Sequence, residues 1–299
     1  MKKILTILDN IEEFINKRDL TEIEADNIYV ELYAMLERLR NGNYKYTDFV
    51  NRNKYDIYRR TREFFIYFKS YYNLASTISK VLETFDLKNY PHIIDLCPGW
   101  APKLEIALKQ LDYTGEVTVI DYSNEATNEL TDFIQLFKPE FSVNIINKNI
   151  YDLHNTNASL VVANHIIDDL LINEYCILHE KNLVDIYTTE TVFLETIQRI
   201  PEEINIIEFI KKTVLTLDKY ISDNGYLIIS QYGSLTDKNL GISNWVKLIT
   251  DAFQQVIQSL KEIGYKDHSQ YHSAELNKYK ERYFNSNNIF ILRKNESTN

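Results

Sequence analysis

The stretch Ile93-Ile94-Asp95-Leu96-Cys97-Pro98-Gly99-Trp100-Ala101 joins a short apolar run to a sharp turn. Only seven glycines and five prolines occur in the 299 residues, yet Pro91, Pro98, Gly99 and Pro102 fall within this neighbourhood. Such a concentration marks a specialised turn between a strand and a helix. In an open α/β sheet, ligands bind at the carboxyl ends of the strands, at the topological switch point. Gly99 has no Cβ and lets the backbone approach a ligand closely. Asp95 adds a carboxylate beside it, which suits a cationic ligand group and repels a pyrophosphate.

A second apolar run, Glu116 to Ile120, ends in Asp121-Tyr122-Ser123, with Asp121 22 residues beyond Gly99. At about this spacing an acid accepts hydrogen bonds from ribose hydroxyls in nucleoside-binding α/β folds. A helix N-cap is the other role open to Asp121 or Ser123.

Outward from this centre the pattern alternates. Strands are expected at Ile93 to Cys97, Glu116 to Ile120, Ser142 to Ile146, Leu160 to Ala163 and Tyr226 to Ser230. Helices are expected near 102–112, 124–137, 168–198 and 203–222, so the sheet should be parallel and wrapped on both faces. A helix over 244–263, carrying Trp245, Phe253 and Leu260 inward, precedes strands near Tyr265 to Tyr271 and Ile289 to Leu292, expected as an antiparallel edge. Residues 1–89 read instead as a helical cap or lid. Thr21 with Glu24 forms a capping-box pattern for its second helix, and the stripe Phe64, Phe68, Tyr71, Ala75, Ile78 and Leu82 marks a third that must stop before Pro91. The division expected is therefore 1–89 and 90–299, with an insert at about 170–200.

The net charge of −10 is uneven, because residues 1–90 hold 15 of the 33 basic and 14 of the 43 acidic side chains. The acidic excess lies in the α/β part, which argues against a nucleic-acid partner, since phosphate contacts need positive charge. No apolar run is long enough to cross a bilayer, and the start does not read as a signal peptide, so no membrane partner and a cytoplasmic location are expected. Two cysteines make neither a disulfide framework nor a thiolate metal site. His268 and His272 lie four apart, but a strand is expected there and further ligands are lacking, so no metal is expected.

Asp95-Leu96-Cys97-Pro98-Gly99-Trp100-Ala101 resembles the first motif of the class I S-adenosylmethionine-dependent methyltransferases, an acid followed by a glycine-rich turn. The central glycine is kept, and the flanking glycine positions are Cys97 and Ala101. The family's second motif matches Asp121-Tyr122, its third strand is followed by Asn149-Ile150-Tyr151-Asp152, and its fourth ends in Asn164-His165-Ile166-Ile167-Asp168-Asp169. The resemblance covers roughly residues 91–293. It implies a Rossmann-like class I methyltransferase fold, a mostly parallel doubly wound sheet with an antiparallel edge, that binds S-adenosyl-L-methionine. It implies that Asp95, Gly99 and Asn164 surround the methionine part, Asp121 the ribose, and Tyr122, Asn149 and Ile150 the adenine, with Cys97 of the same motif also in the cofactor site.

Methyl transfer from a sulfonium needs alignment and exclusion of water more than it needs an acid. Where the acceptor must lose a proton, His165 at the end of the fourth strand is the candidate base, with a packed histidine as the other reading. Asp168 and Asp169 are candidates for positioning the acceptor, although acids at a helix start are favoured by the macrodipole anyway. Tyr55, Tyr58, Phe64 and Phe65, interleaved with Arg59, Arg60 and Arg62, read either as a packing face or as a lid. The function expected is methylation of oxygen or nitrogen on a small molecule or peptide. Transfer of the cofactor's aminocarboxypropyl group and a non-catalytic binding subunit are the alternatives, and a homodimer is compatible with all three.

Overall fold

The computed structural model describes residues 21–23, 74–99, 101–153, 156–187, 190–232, 241–270 and 288–296. Most of the expected helical cap, with its aromatic and arginine-rich stretch, Trp100 and His272 lie outside these residues. Glu22 and Ile23 are helical with Thr21 just before them, where the capping box was expected to open the second helix.

The described elements begin with a helix over 74–82 (α1), then β1 (His92–Leu96), α2 (Lys103–Gln110), β2 (Glu116–Asp121), α3 (Asn124–Phe137), β3 (Ser142–Asn147) and β4 (Ala158–Asn164). There follow α4 (Ile167–Leu178), α5 (Leu183–Ile186), α6 (Glu190–Glu203), α7 (Ile206–Tyr220), β5 (Ile221–Ser230), α8 (Ser243–Glu262), β6 (Tyr265–Asp267) and β7 (Ile289–Lys294). The sheet order is β3-β2-β1-β4-β5-β7-β6. The first five strands pair parallel, and β7 runs antiparallel to both β5 and β6. This is the mostly parallel, Rossmann-like sheet with an antiparallel edge that the resemblance implies. Its order reverses between β1 and β4, which fixes the switch point there.

Alternation along each strand divides the core in two. Ile93, Val117, Val119, Leu160, Val162, Ile228 and Ile291 pack on one face with α1, α2 and α3. Ile94, Ile120, Val161, Ala163, Leu227, Ile229 and Leu292 pack on the other with α4 to α8, and Trp245 is part of that packing. Leu74, Ala75, Ile78, Val81 and Leu82 of α1 belong to the first cluster, so the end of the third expected helix is core of the α/β unit although it precedes residue 90.

Three sequence expectations need correction. The single helix expected over 168–198 is three, because Glu180 takes φ 50 after His179 closes α4, and Asn182 opens α5 through a capping box. The fifth strand starts at Ile221 rather than Tyr226, directly after α7. The strand at 265 ends at Asp267, whose carboxylate turns back to accept the Ser269 amide.

Candidate functional site

A cavity of about 240 Å³ opens at the carboxyl ends of β1, β2 and β4. Its lining includes Cys97, Gly99, Asp121, Tyr122, Asn149, Ile150, Asn164, His165 and Asp169 from the sequence expectation. It also includes Lys103, Asn173 and Tyr232, which sequence reasoning passed over. Asp95 and Asp168 do not line it.

The turn after β1 is fixed by one carboxylate. Asp121 Oδ2 accepts the Gly99 amide at 2.9 Å, and its Oδ1 accepts the Ser123 amide at 2.8 Å. Ser123 serves as N-cap of α3, taking the Ala126 amide on its hydroxyl at 3.1 Å, so Asp121 does not serve there. Asp121 also lines the cavity. Gly99 sits at φ 63, and a Cβ there would meet nothing within 4 Å among the described residues beyond its chain neighbours. Cys97 occupies the same left-handed region at φ 51, in the place where the family's motif has a glycine. Burial, then the carboxylates of Asp121, Asp169 and Asp95, push its thiol well up, so it stays neutral.

Asp95 is 2% exposed and does not line the cavity, where the sequence reading expected it beside the ligand. The strand alternation aims it toward α2, where Glu105 is fully buried and neither carboxylate oxygen has a hydrogen-bond partner among the described residues. Burial first, and Glu105 second, push the Asp95 carboxyl well above its usual range, with Lys103 opposing. Burial likewise pushes Glu105 up to about 7.

At β4 the bonds run between side chains. His165 takes φ 64 just past the strand, its amide donating to Ser230 O at 2.7 Å, and its Nδ1 lies 3.0 Å from Asp168 Oδ1. Gln231 Nε2 donates to the same Asp168 oxygen at 3.2 Å, while Gln231 Oε1 accepts the Ile167 amide at 3.0 Å. His165 Nε2 is buried without a partner among the described residues, and Tyr232 meets the ring edge-on at 4.4 Å. Burial disfavours the imidazolium, but the charge and hydrogen bond of Asp168 outweigh it and raise His165 to about 10. Asp168 is thus the histidine's orienting partner. Asp169 is the acid that faces the cavity, and it accepts the Tyr187 hydroxyl at 2.8 Å.

On the adenine side expected from the resemblance, Ile150 and Tyr122 supply apolar wall, and Asn149 Oδ1 accepts the Tyr151 amide at 3.1 Å. Asn164 Nδ2 is buried and unpartnered among the described residues, a donor aimed at nothing the protein supplies. Asp121, Asp169, Lys103 and Asn164 thus give the cavity wall acidic, basic and amide groups. Strand order, switch-point cavity and ribose-spaced acid now stand together. The fold is that of the class I methyltransferases.

No protein-family model matches the chain, and no curated protein matches it. Among solved structures it is similar to the plantazolicin methyltransferase BpumL in complex with a monoazolic desmethylPZN analog and SAH, at 12% identity over 97% of this chain and 99% of that one, TM-score 0.44. It is also similar to the mitomycin 7-O-methyltransferase MmcR, at 9% identity over 91% and 68%, TM-score 0.48. An O-methyltransferase family protein from Burkholderia thailandensis follows at 10% identity over 92% and 72%, TM-score 0.43. Among the described residues no helix is long and apolar enough to cross a membrane, and no group of three or more His, Cys, Asp or Glu could hold a metal ion.

Proposed function

We propose that the protein binds S-adenosylmethionine across the tips of β1 and β2 and methylates an oxygen or nitrogen of a small molecule or a peptide. The observation that carries this reading is the Asp121 carboxylate, which spans from β2 to the Gly99 amide and still faces the cavity. The cofactor would supply an already activated methyl group on a cationic sulfur. Asp121 accepts from the ribose hydroxyls, and Tyr122, Asn149 and Ile150 enclose the adenine. Gly99, Cys97 and Asn164 border the methionine part.

The protein's chemical task is alignment and, for a protonated acceptor, removal of a proton. His165 does this at Nε2, because its Nδ1 is committed to Asp168. Asp169, at the cavity wall and steadied by Tyr187, orients the acceptor. Leu170 and Asn173 of α4 and Leu183 of α5 continue that wall, so acceptor choice resides in this segment.

Calorimetry with S-adenosylhomocysteine tests the reading. The wild type is expected to bind, and Asp121→Ala to lose about 1 to 3 kcal/mol of binding with the ribose acceptor and the amide anchor of Gly99. Unchanged affinity, or binding of a dinucleotide in preference, would overturn it.

A further inference from the structure

β3 is an edge strand, hydrogen-bonded to β2 alone, and none of its residues is fully buried. A segment leaving such a strand belongs to the less stable part of a fold unless something beyond the sheet holds it. Residues 149–152 leave β3 in this way and carry Asn149 and Ile150 to the cavity. Their own bonds are local: Asn149 accepts the Tyr151 amide on Oδ1 at 3.1 Å and the Asp152 amide on its carbonyl at 3.0 Å. The long-range hold comes from α7. Tyr220, its last residue and 1% exposed, donates its hydroxyl to the Ile150 carbonyl at 2.8 Å across 70 residues of chain. Burial first, then Cys97 and Asp152, push the phenol up, so it stays a donor. Two turns earlier on the same helix, Lys212 Nζ lies 3.9 Å from the centroid of the Tyr151 ring while it pairs with Glu174 of α4. The Tyr220 end of α7 is itself tied down, because β5 begins at Ile221 with no connecting loop.

We propose that Tyr220 is a positioning residue for cofactor binding, which holds the Ile150 carbonyl and so sets the apolar wall for the nucleobase before any ligand arrives. This rests on the cofactor reading above. Tyr220 does not line the cavity, so it acts through Ile150. Without its hydroxyl the Ile150 carbonyl would be left buried and unpaired, and the turn would shift to reach water. Binding would then include the cost of returning the wall to its place, whereas in the wild type that ordering is done by folding.

The test sets Tyr220→Phe against Tyr265→Phe, a control that also removes one tyrosine hydroxyl bond. The Tyr265 hydroxyl donates at 2.8 Å to Asp218 Oδ1, on α7 two residues before Tyr220, and Tyr265 does not line the cavity. If the hydroxyl of Tyr220 served only to hold α7 in place, the two variants would behave alike. By calorimetry, Tyr220→Phe is expected to weaken S-adenosylhomocysteine by roughly five- to tenfold, and Tyr265→Phe to leave it within about twofold. Hydrogen exchange locates the effect: the Tyr151 and Asp152 amides should be protected in the ligand-free wild type and in Tyr265→Phe, and lose protection in Tyr220→Phe. The wild-type measurement stands even if Tyr220→Phe fails to fold. Equal losses of affinity in the two variants, no loss in either, or exchange of those amides at open-loop rates in the ligand-free wild type would overturn the role of Tyr220 and leave the nucleoside site intact. Failure of the wild type to bind S-adenosylhomocysteine would overturn the cofactor reading itself, and this inference with it.

Discussion

At the tips of β1 and β2 one carboxylate, Asp121, accepts two backbone amides, whereas at the tips of β4 and β5 the bonds pass from side chain to side chain through His165, Asp168 and Gln231. A turn held by its backbone constrains the identity of one acid and leaves its neighbours free to vary. Cys97 and Ala101 can therefore stand at glycine positions of the motif without loss of the turn. A network of side chains instead fixes each member's identity, and each deletion there should be felt in chemistry rather than in binding.

The largest effect that separates the two halves is expected at His165. His165→Ala should slow turnover by about 10²–10⁴-fold, the usual contribution of a positioned base, while S-adenosylhomocysteine affinity by calorimetry stays within about twofold. The pH profile carries the sign. A base must be neutral, and Asp168 holds His165 at about 10, so the rate should climb with pH through the neutral range. Asp168→Asn removes the charge that raises it, so the rising limb should move to lower pH as the plateau falls. An unmoved limb would detach Asp168 from the proton transfer.

The same contrast explains what could be read from residues alone. Asp95, Gly99 and Asp121 are local signals: acid, turn and acid recur at fixed spacing around two strands, and the sheet follows from their alternation with helices. The β4 side is not local. Gln231 lies 63 residues from Asp168, and Ser230 66 from Asn164, so their pairing exists only once β5 lies beside β4. Asp168 and Asp169 are adjacent and look equivalent in sequence, yet the rotation of about 100° between neighbours on a helix sends one to His165 and the other to the cavity. Lys103 left one signal, a lysine at the first position after Pro102, where the dipole disfavours it. Glu105 left none, because a glutamate in a first helical turn is the ordinary choice.

A smaller effect tests how each half treats its charges. Asp168 is paired and held below the usual carboxylate range, burial opposing and His165 prevailing, while Glu105 is buried without a hydrogen-bond partner among the described residues. Glu105 titrates about 7 in the folded chain against an ordinary 4.5. Below pH 4.5 both states hold the proton and the group costs nothing in charge. As pH rises from 4.5 to 7 the unfolded chain ionises first, so this group's contribution turns against folding, and above 7 the penalty is constant. Glu105→Met, of similar volume, should raise stability at pH 8 by about 1 to 3 kcal/mol and flatten the decline between those two values. Denaturant unfolding at pH 4 and pH 8 measures both; an unchanged slope would mean that Glu105 ionises in the fold as it does in the unfolded chain.

The smallest effect concerns whether the β1 turn is held by its backbone at all. Cys97 at φ 51 carries a left-handed strain of about 1 to 2 kcal/mol. Glycine relieves it but loses about 0.5 to 1 kcal/mol in unfolded-chain entropy, along with the packing of the thiol on the second core cluster. Alanine keeps the strain and loses the sulfur. Cys97→Gly should therefore lie within about 1 kcal/mol of the wild type and above Cys97→Ala by about 1 kcal/mol, measured as midpoints of chemical unfolding. If alanine proves the more stable of the two, the turn has relaxed out of the left-handed region. In that case the Gly99 amide no longer needs Asp121 to hold it, and the contrast between a backbone-held and a side-chain-held half fails on the side where it was most secure.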